Sequence, residues 1–149
     1  MYKHILVPTD GSKLSLKAAK EAAMLAKNLK AKITALYVIA PYVTRVVGDG
    51  FIPRTSEASI LRYKQETEKA AAKALAPVGT AAAKAKVHCE KVFVTNDQPW
   101  AGIIEAARAR KCDVIVMGSR GRGALAGALL GSETTQVLSH SKKPVLVCR

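Results

Sequence analysis

The sequence predicts an α/β protein, a doubly wound open sheet of five parallel strands with helices on both faces. Three observations carry this. Short apolar runs alternate with longer stretches of helical period, the pattern of a parallel sheet covered on both sides. The first, second, fourth and fifth runs are almost continuously apolar, as strands buried on both faces are. A glycine-rich stretch, Met117-Gly118-Ser119-Arg120-Gly121-Arg122-Gly123, then follows the fourth run, with Gly131-Ser132 beyond it. Strand, glycine loop and helix start in that order let backbone N–H groups wrap a phosphate.

Each element has its own signal. Tyr2 to Val7 is an apolar run that Pro8 stops, so it reads as a buried strand. Thr9-Asp10-Gly11-Ser12 is a turn, and Ser12 is a good helix cap. From Ser12 to about Leu29, apolar residues recur at helical spacing: Leu16, Ala19, Ala22, Ala23, Ala26. Ile33 to Ile39 is the second strand. Pro41 to about Thr55 has no period and holds Gly48, Gly50 and Pro53. Its length leaves a lid, a partner contact and disorder open. A helix rich in Lys, Glu and Ala runs from roughly Ser56 to Ala76, and Pro77 and Gly79 break it or mark its end. Val87 to Val94 is the third strand, interrupted by His88, Glu90 and Lys91 as at a sheet edge. Asn96-Asp97 caps the third helix, with Pro99 in its first turn and Trp100, Ile103, Ile104 and Ala107 on one face. Val114 to Met117 is the fourth strand, Ser132 to Ser139 the fourth helix and Pro144 to Cys148 the fifth strand. With right-handed crossovers, the ligand site of such a sheet lies at the carboxyl ends of its strands, where the winding reverses. The turn at Pro8, Thr9 and Asp10 and the loop from Gly118 to Gly131 then flank one crevice.

Composition narrows the class. A chain of 149 residues, 49% hydrophobic and 5% aromatic, suits one domain with helices packed closely on a sheet. No apolar run reaches the ~18 residues of a membrane span. The start, Met1-Tyr2-Lys3-His4-Ile5, enters a strand directly and lacks a signal-peptide layout, so a cytoplasmic protein is expected. The net charge of +13 is compatible with nucleic acid, anionic membrane or an anionic small ligand. The lysines are dispersed over presumed helix faces, however, and aromatics are not interleaved with them. Solvated helix faces are expected rather than nucleic-acid binding. Cys89, Cys112 and Cys148 fit no metal spacing and cannot all pair within one chain, so reduced thiols are expected.

The glycine stretch points to a phosphorylated ligand. Gly118 and Gly121 can take positive φ and let the backbone approach an anion. Ser119, Arg120 and Gly121 then turn their N–H groups inward as a nest, and Arg120 and Arg122 bring charge to phosphate oxygens. Tight strand–helix packing is the other use of such glycines, and a solvated position the other use of Arg122. Gly131 and Ser132 open a helix whose free N–H groups face the ligand. Ser132 and Thr134 add hydroxyls for phosphate or for a metal bound to it. Glu133 either completes the helix dipole from solvent or points inward, where it repels phosphates or recruits a divalent cation. Asp10 is either a turn former or, at the end of a central strand, a site residue.

The spacing Gly118, two residues, Gly121, nine residues, Gly131-Ser132 resembles the glycine signature of the ATP-binding branch of the universal stress protein family. His4-Ile5-Leu6-Val7-Pro8-Thr9-Asp10-Gly11-Ser12 is similar to that family's opening strand and turn. Asp113 to Gly121 resembles its fourth strand and loop, and Val137-Leu138 with Pro144-Val145-Leu146-Val147 its closing helix and strand. The resemblance implies strand order 3-2-1-4-5 in an adenine-nucleotide alpha-hydrolase-like fold. It implies ATP or another adenine nucleotide as ligand, with Mg²⁺ or Mn²⁺ bridging the phosphates. Thr9 and Asp10 would lie near the ribose or adenine, Val38 and Pro8 would line the adenine pocket, and Met117 would pack under the base or sugar. It also implies a homodimer through the last strand.

No catalytic set stands out. His4, His88 and His140 are dispersed, and no P-loop Gly-Lys-Ser/Thr sequence occurs. A nucleotide-binding stress-response sensor or regulator is expected, read by a partner protein and hydrolysing ATP slowly at most. A slow ATP hydrolase using Asp10 and a nucleotide-free basic protein binding nucleic acid remain the alternatives.

Overall fold

The computed structural model describes residues 1–42, 56–121 and 130–149. The elements are β1 (His4–Pro8), α1 (Lys13–Leu29), β2 (Lys32–Ile39), α2 (Glu57–Lys84), β3 (Cys89–Thr95), α3 (Pro99–Ala109), β4 (Val114–Gly118), α4 (Ser132–His140) and β5 (Val145–Cys148). The strands are parallel in the order β3-β2-β1-β4-β5, as expected. In the central strand, Ile5 pairs with Ile33 on one side and Val114 on the other.

Alternation along the strands divides the core in two. Ile5, Val7, Ile33, Val114 and Val116 pack with the alanine faces of α1 and α2. Leu6, Leu36, Ile115 and Met117 pack with Ile103, Ala106 and Ala107 of α3 and Val137 of α4. Every residue of β1 and β4 is buried, whereas β3 alternates between half-buried and exposed, as its edge position requires. β5 forms the other edge, with Leu146 exposed. At the base of the sheet, Asp113 Oδ2 accepts from the backbone N–H groups of Lys3 (2.7 Å) and His4 (2.8 Å). These bonds hold the Asp113 carboxyl below its ordinary range. No helix among the described residues is long and apolar enough to cross a membrane.

Ser12 caps α1 as expected, accepting from Ser15 N–H at 3.2 Å. Two other expectations fail. Pro77 does not end the second helix; α2 runs through it to Lys84. A proline inside a helix costs about 3 kcal/mol. Burial of Leu75 before it and Val78 and Ala82 after it offsets this, since a buried Leu or Val contributes roughly 1.5–3 kcal/mol. Asn96-Asp97 does not cap α3 either. The cap position is Gln98, which makes no side-chain bond, while Asn96 Oδ1 closes a turn on the Gln98 N–H at 2.9 Å.

Candidate functional site

A cleft of about 250 Å³ opens at the carboxyl ends of β1, β2 and β4, where the winding reverses between β1 and β4. Its apolar walls are Pro8, Leu36, Val38, Ile103 and Met117. Leu36, Val38 and Met117 point to the α3 and α4 side, and Gly102 lets α3 sit close, since a Cβ there would stand 3.1 Å from Val38 Cγ1. Thr9, Asp10, Arg120, Gly121, Glu133 and Thr134 form the polar side.

The first turn is tightly bonded. Thr9 N–H donates to Leu36 O (2.9 Å), and Thr9 Oγ1 donates to Ser15 Oγ (3.0 Å) while accepting from Gly11 N–H (3.1 Å). Asp10 Oδ1 accepts from Ser12 N–H at 2.9 Å, so Asp10 is a turn former and a cleft residue at once. Gly11, at φ 79°, takes the left-handed conformation that glycine favours.

The glycine loop differs from the sequence expectation in three ways. Neither Gly118 nor Gly121 has positive φ. They are needed for close approach instead: a Cβ on Gly118 would lie 3.1 Å from the Leu14 carbonyl carbon, and one on Gly121 2.7 Å from Asp10 Oδ2. Nor is the nest complete. Ser119 is buried, and its N–H donates to Cys148 O at 2.7 Å as an extension of the β4–β5 pairing. The Ser119 carbonyl accepts from Gly131 N–H at 2.8 Å. The N–H groups of Arg120 and Gly121 have no hydrogen-bond partner among the described residues. Third, the Thr134 hydroxyl is committed to Gly118 O at 3.0 Å and ties α4 to β4. Gly131 and Ser132 do not line the cleft. Gly131 lets the loop lie on the start of α4, where its Cβ would be 3.2 Å from Arg120 Cα. Arg122 falls outside the described residues, as does the Pro41–Thr55 segment beyond Tyr42.

Glu133 lines the cleft from the first turn of α4 and has a role beyond the two expected ones. Its Oε2 accepts from Trp100 N–H at 2.7 Å, so the first turn of α4 caps α3, whose own cap residue offers no side chain. Pro99 has no N–H, which makes the Trp100 N–H the first donor of α3. The Trp100 ring stacks on His140 at 4.6 Å and joins the two helices again at the far end of α4. The first turn of α4 has no side-chain cap. Among the described residues no acceptor meets the N–H groups of Ser132, Glu133 and Thr134, so they could serve a ligand at the polar end of the cleft. The described charged residues of the cleft are Asp10, Arg120 and Glu133. No cluster of three or more His, Cys, Asp or Glu suited to a metal occurs among the described residues.

Of the residues named from sequence, Pro8, Thr9, Asp10, Val38, Met117, Gly118, Arg120, Gly121, Glu133 and Thr134 come together in this cleft. Ser15, Leu36, Tyr37, Pro99 and Ile103 were missed. Leu36 was within reach, because it lies two residues before Val38 on the same strand face. Pro99 and Ile103 join only through the packing of α3 on β2.

The whole chain, residues 1–149, matches the sequence model of the universal stress protein family. The chain belongs to that family. It is 36% identical to universal stress protein MJ0531 of Methanocaldococcus jannaschii over all of this chain and 83% of that one. Among solved structures, it superposes on hypothetical protein MJ0577 with a TM-score of 0.78 and 28% identity, covering 99% of this chain and 96% of the other. A universal stress protein crystallised in complex with cAMP gives a TM-score of 0.71 at 29% identity, covering 99% and 97%.

Proposed function

We propose that the cleft binds an adenine nucleotide, with ATP and Mg²⁺ or Mn²⁺ as the working ligand. The protein then acts in the cytoplasm as a nucleotide-dependent sensor or regulator. The observation that carries this reading is the two-ended cleft at the winding reversal. One end is apolar and of a size for a base, between Pro8, Val38, Ile103 and Met117. The other presents the first turn of α4, the Arg120 side chain and the N–H groups of Arg120 and Gly121. The cAMP complex of a family member with the same fold supports the adenine-nucleotide class.

The residues fit such a ligand as a cradle, since a side chain on Gly121 would fill the space beside Asp10. Among the described residues Glu133 brings a carboxylate to the cleft beside Asp10 and Arg120, and that carboxylate repels phosphates. A divalent cation held through the phosphates offsets that repulsion. No described side-chain set supplies both a base and a nucleophile, so slow hydrolysis at most is proposed. A homodimer through β5 is part of the reading: the strand is short, at the sheet edge, and exposes Leu146. A partner protein would read the nucleotide-bound dimer.

Met117 lines the cleft, and the only other methionines are Met1 and Met24. Protein labelled with ¹³C at the methionine methyls is titrated with ATP and Mg²⁺, then with AMP and cAMP. A saturable shift of Met117 is expected, with affinity reduced roughly tenfold or more in Gly121→Val. Failure of all three nucleotides to move Met117 at about 1 mM would end the proposal, because affinities weaker than this are worth only about 4 kcal/mol. The small molecule released on denaturing freshly purified protein identifies the physiological nucleotide.

A further inference from the structure

A second concavity lies on the outer surface of the α1–α2 layer, independent of the nucleotide cleft. It is a groove of about 720 Å³ between the two helices. Along α1, Leu16, Lys20, Ala23, Met24 and Lys27 fall at helical spacing on one face. They span about 16 Å, three turns of helix. From α2 come Pro77, Ala81 and Lys84. The floor is small and apolar, and Met24 is 62% exposed within it. The charged residues along it are Lys20, Lys27 and Lys84; no carboxylate lines it among the described residues. None of the three lysines has an ion pair among the described residues, where the only salt bridge is Arg110 with Glu90.

We infer that this groove docks an amphipathic helix of a partner protein that carries Asp or Glu beside its apolar stripe. Small residues at Ala23 and Ala81 allow a third helix to approach to the usual ~8–10 Å between axes. The lysine stems supply apolar walls and their ammonium groups supply the charge, so an acidic flank on the incoming helix is matched on both sides. A free fatty acid fits less well: the groove is open along its length and leaves one side of an acyl chain in water, whereas a helix brings its own polar face. A second copy of this chain fits less well in this groove too, because Lys20, Lys27 and Lys84 call for an acidic flank and the chain carries 24 Lys and Arg against 11 Asp and Glu.

The test uses a fluorescein-labelled synthetic helix of about 16 residues, three turns of which match the groove, with Leu at i, i+3, i+4 and i+7 and Glu on both flanks. A Lys-flanked version of the same helix is the control. Binding is followed by fluorescence anisotropy and by the ¹³C-methyl signals of Met24, which reports the groove, and Met117, which reports the nucleotide cleft. Saturable binding that shifts Met24 and leaves Met117 in place is expected. The Lys20→Glu/Lys27→Glu/Lys84→Glu variant loses roughly tenfold or more in affinity, from three pairs reversed. An unmoved Met117 signal in that variant shows that its fold is intact. The inference is overturned if the Glu-flanked helix does not bind, or if the Lys-flanked helix binds equally well. It is also overturned if laurate shifts Met24 and the helix does not, or if Met24 shifts with protein concentration alone. Loss of nucleotide binding leaves it untouched, because the two sites share no residue.

Discussion

Removing the Glu133 carboxylate separates its structural work from its effect on a ligand. Glu133 Oε2 holds the Trp100 N–H at 2.7 Å, and Gln98 gives α3 no side-chain cap of its own. A hydrogen bond to a charged group contributes about 1.5–3 kcal/mol, and half-burial of Glu133 puts this one near the lower end. The carboxylate also sits in the first turn of α4, where the helix dipole adds about 0.3–1 kcal/mol. Glu133→Ala should therefore cost about 2 kcal/mol, which in a chain of this length lowers Tm by roughly 4–8 °C in a thermal melt without nucleotide. Glu133→Gln keeps an acceptor for Trp100 and should lose about half as much.

The two variants should part company when ligand is added. Glu133→Gln removes one negative charge from the cleft wall without opening the α3–α4 contact. Its affinity for magnesium-free ATP should rise roughly fivefold, the effect of about 1 kcal/mol of relieved repulsion across a partly solvated site. AMP, with less charge, should gain less, and isothermal titration of both ligands measures the difference. A Tm for Glu133→Ala within about 1 °C of the parent, less than half a kcal/mol, would refute the capping role. Equal gains for ATP and AMP would refute the electrostatic one.

Gly118→Ala should be the more damaging of the loop glycine substitutions, because its Cβ meets the Leu14 backbone at 3.1 and 3.2 Å, and overpacking of this kind costs about 1–3 kcal/mol. A drop in urea midpoint measures it; Gly121→Ala, which meets only the end of the Asp10 side chain, should lose less stability than affinity. Asp113 has a folded pKa below its unfolded value, so its stabilisation is complete above the unfolded pKa of about 3.9 and is lost as pH falls through the lower, folded one. The stability gap between parent and Asp113→Ala, about 1 kcal/mol at neutral pH, should close below about pH 4 in denaturation series. The Cys112 thiol is buried and its pKa is pushed up to about 11, first by burial and then by Asp113. Thiol-specific reagents at pH 8 should leave Cys112 unmodified in folded protein and label it in urea.

Most of the fold was legible because burial on two faces leaves a continuous apolar run, which β1, β2 and β4 carry; β5 carries one as well, but it is an edge strand with no fully buried residue. The failures share a cause. Pro77 is a strong local breaker, but its cost is met by the apolar face of α2 on either side of it, which local rules do not weigh. Asn96 and Asp97 are good local caps, but the cap of α3 is Glu133, 33 positions away from Trp100. In the site, the Pro8-Thr9-Asp10 turn and the glycine loop were found from their position in the topology, whereas Val38 and Met117 came only through the family resemblance. The α3 side of the cleft was not found, since Pro99 and Ile103 reach it only by packing across the sheet. The use of each hydroxyl was equally hidden: Thr134 and Thr9 spend their donors inside the protein, on Gly118 O and Ser15 Oγ.

The glycines change meaning once their surroundings are known. Sequence reasoning gives Gly118 and Gly121 backbone freedom, with tight packing as the alternative; among the described glycines only Gly11 has positive φ, and Gly118, Gly121 and Gly131 serve close approach. Close approach joins parts that freedom would leave loose. Gly121 rests against Asp10 of the first turn, and Gly131 against Arg120 of the loop. Ser119, two residues before Gly121, is bonded through its N–H to Cys148 at the end of the edge strand. The cleft wall is thus one short chain of contacts from β5, and in the proposed sensor that chain is the route from nucleotide to dimer surface. A loop of freely turning glycines would bind phosphate and pass nothing on. In that proposal a ligand at Gly121 would act on the edge strand through Ser119, whose N–H is bonded to Cys148 O.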